Sequence, residues 1–162
     1  MVRSATPEDS HDICTIYNHY VLNTVVTFEE APVTVTEMQR RIVDIQSGHC
    51  WLVCEEAGKV IGYAYAGPWK TRAAYRHAVE ISVYLDPSHT GRGLGRQLYS
   101  ALIAEMQQLK MHALIGGVAM PNNASIRLHE GLGFRKIAHF AEVGKKFGKW
   151  VDVAYWELLL QN

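Results

Sequence analysis

A glycine-rich turn between an alternating strand and an amphipathic helix constrains the fold of this chain more than any other feature. Apolar and polar side chains alternate over residues 79–85, which is the period-two signature of a strand with two different faces. The turn at 90–95 follows, and apolar residues then recur at helical spacing over 94–109. The small apolar segment 113–119 returns as a strand. This order predicts an α/β fold.

The remaining segments extend this pattern into one domain. Two helices precede the sheet, the first capped at Thr6 and the second by a capping box of Thr34 and Glu37. Alternation and turn residues then place further strands and one short helix. These segments are the strands 51–55, 60–66, 134–139 and 151–160 and the helix 124–130. We therefore predict a single domain over residues 1–162, with a mixed central sheet flanked by helices.

Composition excludes several classes of protein. Sixteen Lys and Arg balance sixteen Asp and Glu, so no basic excess attracts nucleic acid or an anionic membrane surface. No apolar run is long enough to span a bilayer. Cys14, Cys50 and Cys54 lack the partners of a zinc site, and we interpret them as core thiols in a reducing cytoplasm. A local anion site and no metal are expected.

The turn at 90–95 is the candidate anion site. Unpaired N–H groups and the positive end of the helix dipole converge where a strand runs into a helix. A dinucleotide fingerprint is excluded because its third glycine is missing, and a P-loop because no Gly-Lys-Ser/Thr follows. Arg92 and Arg96 add positive charge beside the turn. The alternative is a tight turn whose glycines serve geometry alone.

These motifs resemble the GNAT superfamily of acyl-CoA N-acyltransferases. Gly93 and Gly95 match its Arg/Gln-x-x-Gly-x-Gly/Ala signature, whereas Thr90 departs from the usual first residue. A second element of that family appears as Asn122-x-x-Ser125, Leu128-His129 and Gly133-Phe134. A narrower resemblance is to the phosphinothricin and methionine sulfoximine acetyltransferases. It rests on Thr27-Phe28, residues 64–70, Arg72, Tyr75, Glu80, Leu128-His129-Glu130 and Phe147-Gly148-x-Trp150-x-Asp152.

The resemblance implies a GNAT fold, acetyl-CoA as the acetyl donor, an amino-acid analogue as the acceptor and a homodimer. The strand before the glycine-rich turn, the turn itself and the short helix would hold the coenzyme. The predicted coenzyme contacts are Val83, Tyr84, Leu85, Gly91, Arg92, Gly93, Leu94, Gly95, Arg96, Asn122 and Ser125.

Two titratable residues are candidates for proton transfer. An amine must lose a proton before it attacks a thioester, and alternation places Glu80 on the face of Ser82 beside the anion site. The resemblance also assigns the base to Glu80; the alternative is a solvated residue or one that forms a salt bridge, for example with Arg76. His129 takes the position of the proton donor to the coenzyme sulfur. Its alternative is a helix-surface histidine that packs beside Phe134.

A basic loop before Glu80 is the candidate acceptor site. Lys70, Arg72, Arg76 and His77 crowd this loop and would attract a carboxylate or phosphinate. Phe28, Tyr75 and Trp69 would form an apolar wall, and the alternative is a solvated loop whose arginines point outward. Three lysines near the C-terminus are interpreted as exposed charges, namely Lys145, Lys146 and Lys149.

The combined prediction is an acetyl-CoA-dependent N-acetyltransferase of small amino-acid analogues. One alternative is a protein, peptide or polyamine acetyltransferase, which the basic loop disfavours. Another is a non-catalytic acyl-CoA sensor, which the presence of Glu80 and His129 disfavours. An ordinary metabolite as the original acceptor stays open.

Overall fold

The computed structural model describes residues 1–161 and contains seven strands and four α-helices over that range. The strands are β1 (Val2–Ser4), β2 (Cys50–Glu56), β3 (Lys59–Pro68), β4 (Ala78–Leu85), β5 (Ala113–Ala119), β6 (Arg135–Lys146) and β7 (Lys149–Leu159). The helices are α1 (Ser10–Asn23), α2 (Val35–Gln46), α3 (Leu94–Gln108) and α4 (Asn123–Gly131).

All seven strands form one mixed sheet in the order β1-β2-β3-β4-β5-β7-β6. Neighbouring strands are antiparallel except β4 and β5, which are parallel with Ala78 opposite Ala113 and Glu80 opposite Ile115. Helix α3 makes the crossover between these two parallel strands, as such a pair requires. The predicted α/β fold with a mixed central sheet is confirmed.

Local sequence explains the two helices before the sheet. The backbone N–H of Thr6 donates to Asp9 Oδ2 at 2.8 Å just ahead of α1, and Thr34 Oγ1 accepts from the N–H of Glu37 at 3.1 Å to cap α2. Met38 and Ile42 then carry the buried stripe of α2. Side chains of the first turn satisfy N–H groups that have no partner within the helix.

Each face of the sheet carries its own apolar core. Helix α3 covers one face with Leu98, Leu102 and Met106, while α1 and α2 cover the other. Alternation along β4 sends Val79 and Ile81 into the α3 core, so the even-numbered positions beginning with Glu80 face the α1 side. The carboxylate of Glu80 therefore lies on the opposite face of the sheet from helix α3.

Two parts of the sheet differ from the sequence prediction. Strand β1 was not predicted, because three residues on a sheet edge are too few to show a period. Strand β6 was predicted to end near residue 139, whereas it continues to Lys146 and turns into β7 at Phe147 and Gly148, which both have positive φ. Most side chains of β6 are exposed, so no apolar alternation marked its length.

The three cysteines are free and buried, which confirms their interpretation as core thiols. Within residues 1–161, no group of three or more His, Cys, Asp or Glu side chains is arranged to hold a metal ion. None of the helices in that range has the length and hydrophobicity of a membrane-spanning helix.

Candidate active site

The two parallel strands separate at the centre of the sheet. Within residues 1–161, β4 and β5 pair only as far as Glu80 and Ile115. The N–H of Asp86 donates to Ile61 O on β3 at 2.9 Å, and alternation along that antiparallel ladder turns the N–H groups of Val83 and Leu85 toward the gap. The Tyr20 hydroxyl donates to Leu85 O at 2.6 Å on the same side. The gap therefore presents unpaired peptide donors to a ligand.

A cavity of about 490 Å³ adjoins this gap at the start of α3. Gly91 and Gly93 line it with φ of +75° and +78°, a left-handed conformation that favours glycine. The first N–H groups of α3 have no partner within the helix and point toward an anion at this end. Arg96 and Arg127 add two cations to the wall. This cavity fits a ligand that carries phosphate groups.

A second cavity, of about 520 Å³, lies on the α1 side of the sheet. Hydroxyl groups and one carboxylate dominate its polar lining, from Tyr17, Thr27, Tyr65, Ser82, Tyr84, Tyr155 and Glu80. A smaller cavity of about 50 Å³, lined by residues of both β4 and β5, lies between the two larger ones. Ser82, Gly117 and Val26 line both this small cavity and the second one, while Asn122 and Ser125 line it and the first. The gap therefore joins two binding spaces.

Glu80 is the only carboxylate that lines the second cavity in the described part of the chain. Burial raises the pKa of Glu80 above its ordinary value, and the positive charge of Lys70 offsets part of that rise. Gly117 gives the carboxylate room, because a Cβ there would lie 3.5 Å from Glu80 Oε1 and 3.0 Å from Tyr155 Cε1. No side chain within residues 1–161 forms an ion pair with Glu80, including Arg76. The carboxylate is free to accept a proton.

His129 lies on the other side of the gap and is 2 % exposed. Its ring packs against Tyr99 and Phe134, each with a centroid distance of 5.3 Å. Nδ1 lies 2.8 Å from Ser125 O, which requires the proton on Nδ1 and leaves Nε2 as a buried atom without a partner. Burial lowers the pKa of His129. The alternative of a helix-surface position is therefore wrong, although the contact with Phe134 that it included exists.

Comparison with known proteins decides the family. Residues 2–155 match the acetyltransferase (GNAT) domain. The chain belongs to the GNAT acetyltransferase family. It is 40% identical over 165 residues to the L-amino acid N-acyltransferase MnaT of Escherichia coli, covering 99% of this chain and 94% of that protein. It is 38% identical over 156 residues to a phosphinothricin N-acetyltransferase of Streptomyces viridochromogenes, covering 96% and 85%.

A solved GNAT structure has the same fold. The phosphinothricin acetyltransferase of Sinorhizobium meliloti, determined in complex with acetyl-CoA, superposes with a TM-score of 0.95 at 38% identity. The match covers 99% of this chain and 88% of that one. The GNAT domain described here is therefore an N-acetyltransferase domain over nearly its whole length.

Most coenzyme contacts predicted for this GNAT domain lie around the first cavity. The structure brings together Val83, Tyr84, Leu85, Gly91, Gly93, Leu94, Gly95, Arg96, Asn122 and Ser125. Arg92 is the exception, since its guanidinium donates to Glu56 at 2.6 and 3.1 Å instead of lining the cavity. Arg127 also lines the first cavity but was not predicted from the sequence, because nothing next to an exposed arginine on a short helix indicates which cavity it lines.

The basic loop is separate from the second cavity. Phe28 lines that cavity, whereas Lys70, Arg72, Tyr75 and Arg76 are exposed and lie outside its lining. Arg76 Nη1 donates to Ala73 O at 3.2 Å within the loop. Among the residues of this loop, Lys70 carries a positive charge that lowers the pKa of Glu80. Its Nζ lies 4.7 Å from the centroid of the Trp69 ring. Acceptor contacts by these four residues remain predictions.

One lysine prediction is wrong. Lys145 and Lys149 are exposed as expected, but Lys146 is only 2 % exposed and donates to Thr27 O at 2.7 Å. Its burial depends on a contact between segments far apart in sequence, which no local pattern shows.

The two arginines near the glycine-rich turn form a matched pair for a binding test. Arg96→Ala should raise the KM for acetyl-CoA by about fivefold, because it removes a cation from the wall of the first cavity. Arg92→Ala should change that KM by less than about twofold, since Arg92 is committed to Glu56 at the surface. Steady-state kinetics with varied acetyl-CoA make the comparison, and equal effects would contradict the assignment.

Proposed function

We propose that this enzyme transfers the acetyl group of acetyl-CoA to the primary amine of a small amino acid or amino-acid analogue of the phosphinothricin, methionine sulfoximine and methionine sulfone type. One observation carries the proposal: a partly buried carboxylate, without an ion-pair partner among the described residues, faces a hydroxyl-lined cavity that meets a phosphate cradle through the gap in the sheet. Relatives named as phosphinothricin, L-amino acid and methionine sulfoximine/sulfone N-acyltransferases support the same class of acceptor.

The first cavity fits acetyl-CoA. Gly91, Gly93 and the N-terminal turn of α3 would hold the pyrophosphate, with Arg96 and Arg127 as counter-charges. Asn122 Oδ1 already accepts from the N–H of Ser125 at 3.1 Å, so its amide NH₂ group is the part available to the amide arm of the coenzyme. When bound, the coenzyme supplies an acetyl thioester. The N–H groups of Val83 and Leu85 are oriented to polarise its carbonyl.

Glu80 is the proposed general base. An acceptor amine is mostly ammonium near neutral pH, and Glu80 takes its proton either directly or through a water molecule. Burial raises the pKa of the carboxyl group, which makes Glu80 a better base than an exposed glutamate. His129 is the proposed proton donor to the coenzyme sulfur. It must first take up a proton at Nε2, and its lowered pKa makes the resulting imidazolium a stronger acid.

The acceptor cavity suits a compact ligand. Its lining includes Val26, Phe28 and Tyr155, and its volume of about 520 Å³ is of the size that holds a small molecule. No cation lines the cavity within the described chain, so Lys70, whose charge acts on Glu80, is the first candidate for the anionic group of the acceptor, ahead of Arg72 and Arg76.

The same observations bear on the domain organisation, location and assembly of the enzyme. We propose one catalytic domain over residues 1–162, since a single sheet spans β1 to β7. Three free, buried thiols suit a reducing cytoplasm, where acetyl-CoA is also present. A homodimer would cover apolar side chains that the β6–β7 hairpin exposes, among them Phe140, Val143, Phe147 and Trp150.

A panel of acceptors tests the proposed substrate class. The release of CoA is measured with methionine sulfoximine, methionine sulfone, phosphinothricin, free amino acids, a polyamine and a lysine peptide. We expect kcat/KM for the best amino-acid analogue to exceed that for the peptide or polyamine by about a hundredfold or more, because the volume and hydroxyl lining of the second cavity suit a small polar acceptor. Comparable turnover of the peptide or polyamine would overturn the proposal.

A further inference from the structure

Lys146 is a charged side chain that is almost completely shielded from solvent. It is 2 % exposed, its Nζ donates to Thr27 O at 2.7 Å, and the same ammonium lies 5.1 Å from the Phe147 ring centroid. Burial lowers the pKa of Lys146, and the charges of Glu30 and Glu29 act in the opposite direction. Removing an ammonium from water is costly, so a buried lysine needs a contact that offsets this cost.

The acceptor of that hydrogen bond belongs to a segment that walls the second cavity. Residues 24–33, which we name the acceptor strap, join α1 to α2 and contribute Val26, Thr27 and Phe28 to the cavity lining. The strap has no helix or strand of its own. Its position therefore depends on side chains that hold it from outside.

Two of those side chains come from the helices that the strap connects. The hydroxyls of Tyr17 on α1 and Thr27 lie 2.8 Å apart and share a hydrogen bond. Arg41 on α2 forms an ion pair with Glu29 at 2.7 Å. Both contacts attach the strap to its own helices, and neither fixes it relative to the sheet strands on the opposite side of the cavity.

Strand β6 supplies the attachment on that opposite side. Lys146 bonds the strap backbone, and two residues earlier Gly144 lets the Phe28 ring lie directly on the strand. A Cβ at Gly144 would be 2.2 Å from Phe28 Cε2, so the ring occupies the space of the missing side chain. The hydrogen bond and the ring contact together hold the strap across the cavity.

We propose that Lys146 is a positioning residue for the acceptor: its hydrogen bond to Thr27 fixes the strap so that Phe28 and Thr27 form the wall opposite Glu80. This inference rests on the proposed function. Lys146 does not line the cavity, and its effect on catalysis passes through the strap. It should therefore act mainly on acceptor binding, because Thr27 and Phe28 line the second cavity and not the first, while Val26 of the strap borders both.

Lys146→Met tests the proposal, with Lys149→Met as the matched control on the same hairpin. Methionine keeps much of the buried chain and removes the ammonium, whereas Lys149 is exposed. We expect the KM for methionine sulfoximine to rise about tenfold in Lys146→Met, as the loss of one charge-assisted hydrogen bond predicts. The kcat and the KM for acetyl-CoA should change by less than about threefold, and Lys149→Met should match the wild type.

Hydrogen exchange gives a second readout that does not depend on activity. Backbone amides of residues 26–29 should exchange faster in Lys146→Met than in Lys149→Met, while the amides of α3 stay unchanged. If the backbone amides of the strap exchange at the same rate in both variants and the KM for the acceptor equals that of the wild type, the proposal is overturned. A fall in kcat together with a rise in the KM values for both the acceptor and acetyl-CoA would also overturn the proposal, since that pattern indicates a general structural role.

Failure of the proposed function is distinguishable from failure of this inference. A wild-type enzyme that turns over none of the acceptors refutes the function, and exchange of the strap still reports whether Lys146 holds it. Should Lys146→Met not fold, Lys146→Gln replaces it under the same criteria, because glutamine is polar but too short to keep the bond to Thr27 O.

Discussion

Replacing Glu80 by glutamine lowers kcat/KM for the acceptor by about a hundredfold or more, the usual contribution of a general base. The amide keeps the size of the side chain and cannot accept a proton from the acceptor ammonium. Glu157→Gln is the control, because Glu157 lies opposite Ile115, which in turn lies opposite Glu80 on the neighbouring strand. The two carboxylates share one face of the sheet, and only Glu80 lines the cavity. Equal losses in both variants would contradict the assignment.

The pH profile adds a signature of the same group. Burial raises the pKa of Glu80, so the acidic limb of kcat/KM should lie above the ordinary glutamate value of 4.5 and should disappear in Glu80→Gln. The ionised form of Glu80 is the one that favours catalysis, whereas the protonated form is the one that favours stability. A carboxyl group with a raised folded-state pKa stabilises the fold when protonated, and this contribution is lost as pH rises through that pKa. Glu80→Gln should therefore be more stable than the wild type at neutral pH, and this advantage should vanish below pH 4.

Replacing Gly116 by alanine lowers the free energy of unfolding by roughly 2 kcal/mol, the cost typical of overpacking a core. A Cβ at this position would lie 2.3 Å from His129 Nε2 and 2.7 Å from Cδ2. The imidazole cannot move aside easily, because Tyr99, Phe134 and Trp156 surround its ring. The strand or the histidine must shift, and either movement disturbs the gap between β4 and β5.

Gly48→Ala is the control for this substitution. Nothing lies within 4 Å of a Cβ built at Gly48, so its free energy of unfolding should stay within about 0.5 kcal/mol of the wild type. Urea denaturation measures both variants. If Gly116→Ala is as stable as Gly48→Ala, the buried position of His129 is contradicted. Adding the methyl group at Gly116 to the His129→Ala variant should lower its free energy of unfolding by less than the same substitution does in the wild type.

Local chemistry made much of the fold predictable. The capping box at Thr34 marked the start of α2, and the alternation along β4 placed Glu80 on the same face as Ser82, with which it lines the second cavity. The glycine-rich turn located the first cavity because its function depends on backbone geometry within a few residues. Each of these features is encoded by residues that are neighbours in sequence.

Contacts between distant segments were not predictable in the same way. Lys146 and Thr27 are separated by 119 positions, so the burial of this lysine has no local sign. Gly116 and Gly117 looked like ordinary residues of a small apolar strand. Their role is visible only once His129 approaches one face of β5 and Tyr155 the other. The acceptor role of the basic loop stays a prediction for a related reason, since charge density in sequence does not say which side of a loop meets a cavity.

Identification of the reaction product tests whether this enzyme acetylates the amine of an amino-acid analogue. The enzyme is incubated with acetyl-CoA and methionine sulfoximine, and the products are followed by mass spectrometry together with the amount of free CoA. The account predicts N-acetyl-methionine sulfoximine, acetylated on the α-amine, in one-to-one ratio with CoA. Release of CoA without an acetylated amine, or tight binding of acetyl-CoA with no turnover of any acceptor, would contradict it.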